Sequence, residues 1–271
     1  MKWTGNIRKM RTELLDEVQY ILPLYEVIEP LEMVSMNQFI GQEISLQFEN
    51  EINCVVTGKR IKKAYGDGMS YDAFMSSPMA SPSIIRPELS RIHEGIALRD
   101  KEWEEKHHLT PHLVYLSLTS EVKVGVTRET NIPYRWIDQG AVEAIILAEV
   151  PYRQLAGAIE VALKEYRSDK TNWRKMLKNE YEPTNLLDHK DELIAYLDED
   201  LQQFISDNDE ITKIKYPVMS YPIKVTSMKL DKIPLIEKKL KGIKGQYLIF
   251  SDDTVFNMRS HSGYKVTLEA S

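Results

Sequence analysis

The chain has 271 residues, a formal net charge of −6 and 42% hydrophobic residues. This composition excludes a disordered chain and is sufficient for the core of one large domain or of two to three small ones. The longest apolar run, residues 144–148, is too short to cross a bilayer, and residues 1–10 lack the apolar segment of a signal peptide. We therefore predict a cytoplasmic protein without a membrane partner.

Cys54 is the only cysteine, which excludes an intramolecular disulfide and a cysteine-based metal site within one chain. A single thiol is typical of a protein from a reducing compartment. Acidic residues are concentrated at 176–212, and this stretch is typical of a solvated helix face. Residues 153–178 are rich in Lys and Arg instead, so a local basic cleft for nucleic acid is compatible with the overall acidity.

In chain order, residues 1–106 predict a β-rich region. Its first residues predict a short helical or irregular segment. Residues 43–49 then alternate between apolar and polar side chains, which predicts a strand, and Asn50-Glu51 predicts a turn into a second strand. Residues 57–92 are rich in Gly, Ser and Pro and predict an irregular insert. A structureless loop of that length is unusual in a compact domain, so we expect another feature to organise it.

The central segment, 107–180, predicts the order strand, strand, helix, strand, helix. Pro133 can stand in the first turn of a short helix that Gly140 ends. From Tyr152 onward, apolar residues recur at helical spacing. The predicted strands lie at 113–118, 122–127 and 142–150.

The acidic segment 181–215 predicts an amphipathic helix at 185–207, and the region 216–271 returns to strand patterns. The similar openings at Gly41 and Gly245 predict that the first and last segments pair in one β domain. The predicted fold class is therefore α+β, a central β-β-α-β-α domain flanked by β-rich N- and C-terminal segments.

Polar residues at the ends of the central elements follow the order found in GIY-YIG nucleases. Tyr115 stands at the first tyrosine, Val124-Gly125 at the end of the second motif, Arg135 on the first helix and Glu160 on the second helix. The central domain thus resembles the GIY-YIG nuclease core. The resemblance implies a phosphodiesterase that cleaves DNA or RNA with Mg²⁺ or Mn²⁺.

In the mechanism that this resemblance implies, Glu160 holds the metal and Arg135 the scissile phosphate, while Tyr115 and Lys123 position or activate water. Lys123 stands where the family has its second tyrosine, and Gln139 stands where many members have a histidine. A lysine can activate water if its pKa is lowered, or it can bind phosphate as a point charge. A glutamine cannot act as a base. The expected phosphate contacts are Arg128, Lys170, Asn172 and Arg174.

A second resemblance covers almost the whole chain. The strings that begin at Lys123, Arg135, Ile159 and Lys170, together with Lys244-Gly-Gln-Tyr-Leu, are similar to the bacterial family called domain of unknown function 2797. Typical members carry a cysteine-rich zinc-binding insert before the nuclease-like core. Here the insert, at about 54–97, keeps only Cys54, and no structural zinc is expected without thiolates. The missing cysteines would fall at about Thr57, Ser70, Ala73, Ser83 and Ser90.

Two alternatives to a nuclease remain open. One is a nucleic-acid-binding protein that keeps the fold but does not hydrolyse its ligand, and the other is a protein-interaction or regulatory module that uses the acidic helix. Structural roles also remain open, with Tyr115 in a strand core, Arg135 beside Trp136 and Glu160 at the surface. Glu105, His107, His108 and His112 suggest a metal site, since His108 and His112 have the spacing of a pair on one helix face, but Pro111 argues against a continuous helix there.

Overall fold

The computed structural model describes residues 1–166 and 171–270, so the predicted contact Lys170 lies outside the described residues. The chain divides into two compact units, residues 1–75 with 215–271 and residues 76–214. In the described ranges, no helix has both the length and the apolar character needed to cross a membrane.

The strands are β1 Lys2–Ile7, β2 Arg11–Leu14, β3 Val18–Glu26, β4 Glu29–Ser35, β5 Glu43–Ile52, β6 His112–Leu118, β7 Val122–Arg128, β8 Glu143–Val150, β9 Thr212–Lys213, β10 Thr226–Met228, β11 Leu235–Lys244, β12 Tyr247–Phe250, β13 Thr254–Asn257 and β14 Tyr264–Ala270. The helices are α1 Tyr71–Ser76, α2 Pro82–Ile85, α3 Lys101–His108, α4 Tyr134–Asp138, α5 Arg153–Leu163, α6 Trp173–Lys178, α7 Leu186–Ile194 and α8 Glu199–Gln202.

The first unit is a ten-stranded sheet with the order β10-β13-β12-β11-β5-β14-β1-β3-β2, in which β4 also pairs with β3. Strand β14 lies between β1 and β5 and is antiparallel to both. The prediction that the first and last segments pair is therefore confirmed. The prediction of a helical or irregular start was wrong, because Val18, Tyr20, Leu22 and Leu24 alternate as buried residues of β3.

The predicted turn at Asn50-Glu51 was also wrong, since β5 continues to Ile52. Asn50 adopts a left-handed backbone with φ of 55°, which asparagine tolerates better than most residues. The register between β5 and β14 shifts between Tyr264 and Val266. The strand therefore absorbs the irregularity as a bulge rather than as a turn.

The second unit contains a four-stranded sheet with the order β7-β6-β8-β9. Its central elements follow the predicted order β6, β7, α4, β8, α5, and the mixed α and β composition agrees with the predicted class. One face of the sheet forms the apolar core with α5 and α7. This core contains Val114, Leu116, Leu118, Val124, Ile145, Leu147, Ile159, Leu163, Leu186 and Leu193.

The predicted acidic helix is broken into α7 and α8, because the chain turns back to the sheet. Ser206 donates its backbone N–H to Leu147 at 3.0 Å, which brings the segment after α8 to β8. Lys190 on α7 is 2% exposed and its Nζ donates to the carbonyls of Ser206 (2.6 Å) and Asn208 (3.0 Å) and to Asp209 Oδ1 (2.8 Å). The buried Lys190 thus connects α7 to the acidic segment that follows α8.

Short helical turns organise the insert that the sequence left irregular. In the second unit these are α2 and three 3-10 turns, Pro78–Ala80, Pro87–Leu89 and Ile92–Glu94. The turn Pro87–Leu89 packs against α5 at Gly157, where a Cβ atom would lie 2.2 Å from the backbone nitrogen of Glu88. Only glycine therefore fits at this position of α5.

We expect Gly157→Ala to lower the free energy of unfolding by about 1–3 kcal/mol, because the added methyl meets backbone that cannot rotate away. Helix propensity alone would make the alanine variant more stable by about 1 kcal/mol, so a loss of stability would report the steric clash. Urea denaturation measures it, and Val161→Ala at an exposed position of α5 serves as the control. A stabilised Gly157→Ala variant would contradict the close approach.

Candidate functional site

Tyr115 lies on the face of the second sheet opposite the apolar core. Direct cross-strand partners share a face, so Tyr115 faces the same side as its partner Gly125 and as Lys123, the partner of Ser117. A Cβ atom at Gly125 would lie 2.6 Å from the tyrosine ring, so this glycine leaves room for the ring to cross β7. Tyr115 and Lys123 are both buried, with exposures of 0% and 4%.

The Tyr115 hydroxyl meets the polar side of α4. It donates a hydrogen bond of 3.0 Å to Gln139 Oε1, and its ring is 6.0 Å from that of Trp136 in a T-shaped contact. Burial raises the pKa of Tyr115, although the charge of Arg135 opposes the shift. The hydroxyl is therefore neutral at physiological pH and acts here as a hydrogen-bond donor, not as a base.

Arg135 lines a pocket of about 190 Å³ together with Arg128, at the end of β7, and Arg153, at the start of α5. We call it the arginine pocket. In the part of the chain that the structure describes, arginine ion pairs involve Arg86, Arg91 and Arg259 but none of these three. Glu160 and Glu88 offset part of the charge of Arg153, but three guanidinium groups with no carboxylate of the described residues at salt-bridge distance form a concentration of positive charge that favours an anion.

One side chain of the arginine pocket has an unsatisfied donor. Arg135 Nε is buried and has no hydrogen-bond partner among the described residues, although the Arg135 side chain interacts with the Tyr115 hydroxyl. Leaving a buried donor unpaired costs about 1–3 kcal/mol. An anion in the pocket would offset the mutual repulsion of the three guanidinium groups.

Arg153 also holds the wall of the pocket in place. Its Nε and Nη2 donate to the carbonyls of Ser83 (2.8 Å) and Ile84 (2.9 Å) at the end of α2. Burial lowers the pKa of Arg153 to about 10, Glu160 opposes this shift, and the charges of Arg135 and Arg128 add to it. The side chain therefore stays charged at neutral pH.

Glu160 belongs to the same group of side chains. It interacts electrostatically with Tyr115 and with Arg153, which lies two helical turns earlier on α5. In the described ranges, no group of three His, Cys, Asp or Glu side chains is arranged to hold a metal. A Mg²⁺ or Mn²⁺ ion on Glu160 would take its other ligands from water and phosphate oxygens, an arrangement that suits Mg²⁺. The ion would supply neutralising charge and a polarised water.

The predicted phosphate contacts Asn172 and Arg174 lie elsewhere in the second unit. Asn172 caps α6 by accepting from Lys175 N at 3.2 Å, and its own N–H donates to Ser120 Oγ at 3.1 Å. The Arg174 guanidinium lies 4.3 Å from the ring centroid of Trp173. Ser120 is in the turn of the β6–β7 hairpin and Arg128 is at its other end, so a strand length of roughly 20 Å separates them.

Helix α3 contributes three residues to the arginine pocket, Trp103, His107 and His108. The two histidines were considered above as metal ligands, whereas Trp103 was not singled out. Their position on α3 depends on an N-terminal cap, in which Asp100 Oδ1 accepts from the backbone N–H of Trp103 at 2.8 Å. The spacing of Trp103 and His107, four residues apart, is the signal that could have indicated a shared helix face.

His108 and His112 do not share a helix, because α3 ends at His108 and His112 begins β6. His112 Nδ1 lies 2.7 Å from the Thr110 carbonyl, so this nitrogen carries the proton. His108 Nδ1 is 3.2 Å from Ser90 Oγ. Burial, with the nearby arginine charges, lowers the pKa of His108 to about 3 and that of His112 to about 4.

In the first unit, two positions of the missing zinc ligands surround Cys54. The Thr57 backbone N–H donates to Cys54 Sγ at 3.4 Å. Burial opposes ionisation, but hydrogen bonds from the Thr57 hydroxyl and from the backbone N–H groups of Ser70, Thr57 and Val56 lower the pKa of the thiol to about 7. Hydroxyl and amide groups thus surround the Cys54 thiol.

The fold and site describe a mixed α and β protein with an arginine-lined pocket beside a buried tyrosine. The chain belongs to the family described as protein of unknown function (DUF2797), whose sequence model matches residues 41–266. That match includes the whole of the second unit, and β5 and β10 to β13 of the ten-stranded sheet. No curated protein and no solved structure matches the chain.

The two buried histidines predict a stability that falls with acidification. Their folded-state pKa values lie below the unfolded value of about 6.5, so between that pH and about 4 the unfolded chain binds protons that the folded chain does not. Each histidine therefore lowers the free energy of unfolding by about 1.4 kcal/mol per pH unit in this window.

We expect His112→Asn to remove its share of this slope between pH 6 and pH 5, because the Asn amide can still donate to Thr110 but does not titrate. Urea denaturation at several pH values measures the slope. Val161→Ala, at an exposed position without a titratable group, is the control and should leave the slope unchanged. An unaltered slope in His112→Asn would show that the histidine does not titrate as described.

Since Cys54 is the only cysteine, thiolate absorbance near 240 nm reports its titration alone. We expect Thr57→Val to raise the pKa of Cys54 from about 7, because the hydroxyl hydrogen bond to the thiolate is lost. Thr110→Val, in the second unit, is the control. A pKa that stays at its wild-type value in Thr57→Val would assign the shift to the backbone amides.

Proposed function

We propose that the arginine pocket binds a phosphate group of DNA or RNA, and that the second unit is a GIY-YIG-type phosphodiesterase that uses Mg²⁺ or Mn²⁺. The convergence of Arg128, Arg135 and Arg153 on one pocket carries the proposal. Arginine recognises phosphate by charge and by paired N–H donors.

The size of the pocket supports a polymeric ligand. Pockets that enclose a whole small molecule have volumes of about 300–1,000 Å³, whereas this pocket has about 190 Å³. It can therefore accommodate one anionic group of a ligand that extends across the surface. A nucleic-acid strand meets this description because each phosphate is a small anion on a long chain.

The grouping of Tyr115, Arg135 and Glu160 supports hydrolysis. Glu160 would hold the metal ion, and Arg135 would stabilise negative charge on the phosphate as it develops. Tyr115, as a neutral donor, would orient water or a phosphate oxygen. Lys123 lies on the same sheet face as Tyr115 and would add positive charge behind it.

A second candidate is a nucleic-acid-binding protein without hydrolytic activity. The hydrogen bond from Tyr115 to Gln139 favours it. An amide oxygen, which cannot act as a base, accepts this bond at the position where a histidine could act as one. In this candidate the arginine pocket binds phosphate as before, and Glu160 balances the charge of Arg153 rather than holding a metal ion.

Cleavage of a mixed panel of labelled DNA and RNA with Mg²⁺ or Mn²⁺ tests the proposal. We expect Glu160→Gln to reduce cleavage about 100-fold or more, because it removes the metal carboxylate, while binding in the absence of metal is retained. Arg135→Ala should weaken binding by about 10- to 100-fold, since it removes a charged donor, and should reduce the salt slope of binding by about 1.

Arg174→Ala is the matched control, because this arginine is exposed and does not line the pocket. Binding that depends on Arg135 without any cleavage would favour the second candidate. If the wild-type protein neither binds nor cleaves any member of the panel, or if Arg174→Ala has the same effect as Arg135→Ala, the proposal is wrong.

A further inference from the structure

We infer that the arginine pocket takes an unpaired nucleotide, whose base stacks on the ring pair formed by Trp103 and His107. This inference rests on the proposed function and narrows its substrate class to single-stranded or locally unpaired nucleic acid. We call the two rings the stacking pair. They belong to α3, which contributes no residue to the proposed cleavage chemistry.

The stacking pair joins an aromatic surface to the phosphate site. The two ring centroids are 4.0 Å apart with an interplanar angle of 16°. Both side chains are half-buried, and both line the same pocket as Arg128, Arg135 and Arg153. The pocket therefore combines a cationic part, suited to phosphate, with an aromatic part, suited to the flat face of a base.

The stacking pair is held in a fixed orientation. His107 Nδ1 lies 2.7 Å from the Trp103 carbonyl, so the imidazole is anchored to its own helix. The His108 ring forms a T-shaped contact with the Trp103 ring, with centroids 5.5 Å apart and planes at 85°. A prepositioned aromatic surface loses little conformational entropy when a ligand binds.

The start of α3 is also fixed, by the buried carboxylate of Glu104. This group is 0% exposed and accepts hydrogen bonds from the backbone N–H groups of Leu98 (3.1 Å) and Arg99 (2.8 Å). The backbone N–H of Asp100 also donates to Glu104, at 3.4 Å, and the Asp100 side chain caps the helix at Trp103. These contacts stabilise the first turn of α3, which carries Trp103.

An unpaired base is the ligand that can use both parts. In a duplex each base is paired and stacked inside the helix, so an aromatic side chain beside a phosphate does not reach its face. In a single strand, a loop or a bulge, the base can turn out of the stack and lie on an aromatic ring. Such stacking tolerates any base, because every base presents a π face.

Binding without metal tests this inference separately from cleavage. Fluorescence anisotropy compares a labelled single strand, the same strand in a duplex, and the same strand carrying abasic sites. We expect the single strand to bind about 5- to 100-fold more tightly than the abasic strand, in line with the stacking of one base. The duplex should bind like the abasic strand, through phosphate contacts alone.

His107→Ala should weaken binding of the single strand by the same factor and leave the abasic strand unchanged, whereas Trp103→Phe, which keeps an aromatic ring, should retain the preference. His93→Ala is the matched control, since His93 stacks on Tyr152, 4.9 Å away, and does not line the pocket. The comparison of natural and abasic strands on wild-type protein needs no variant, so it stands even if a variant fails to fold.

Equal affinity for all three ligands, lost in Arg135→Ala, would overturn this inference and leave phosphate binding intact. A loss in His107→Ala that is equal for the natural and abasic strands would assign the stacking pair a purely structural role and would also overturn it. If the wild-type protein binds none of the ligands, both the proposed function and this inference are wrong.

Discussion

Repulsion between three guanidinium groups is the constraint on which the architecture of the second unit depends. Arg128, Arg135 and Arg153 line one pocket of about 190 Å³, and each comes from a different element. Like charges that line the same pocket repel each other and would drive the elements apart unless other contacts held them. Arg153 supplies one such contact through the carbonyls of Ser83 and Ile84. The approach of Gly157 to Glu88 supplies another, so α5 and the short helical turns act as one wall.

The protonation states of the groups around this pocket are compatible with its positive charge. His108 and His112 are held neutral, because protonation would place further cations beside the arginines and inside the core. Tyr115 keeps its proton because burial disfavours the phenolate. Glu160 is the carboxylate whose charge reaches both Tyr115 and Arg153. The pocket is therefore arranged to respond to an incoming anion rather than to a change of pH near neutrality.

Local patterns were sufficient to predict the central elements. Alternation from β6 to β8, Pro133 before α4 and Gly140 after it are short-range signals, and the structure has these elements where they indicate. Register then brings Tyr115, Gly125 and Lys123 to one face, which follows from spacing alone. The pairing of strands that are distant in sequence was harder to predict. The strands β1 to β4 were missed although β3 alternates clearly, because strand propensity depends on partners that are distant in sequence.

The residues of the pocket could likewise be predicted only in part from the sequence. Arg135 could be selected from its motif, but Arg153 was visible only as one charge in a basic stretch. Trp103 lies before the predicted start of the central domain at residue 107, and His107 is the first residue of that domain. Their contribution depends on α3 bordering the same pocket as Arg128 and Arg153, which no local pattern encodes. Likewise, Asn172 was expected to bind phosphate, but its side chain caps α6, a role equally typical of asparagine before a helix.

The division of the chain into units has a consequence for the order of folding during synthesis. The second unit is continuous, from residue 76 to residue 214, whereas the first is assembled from two separate stretches. Strand β14 fills the place between β1 and β5, so both of these strands have an open edge until the last part of the chain has been translated. The unit that carries the arginine pocket can therefore complete its own sheet on the ribosome first. The interrupted sheet has a high contact order, and its slow closure is the step at which a nascent chain is most exposed to aggregation.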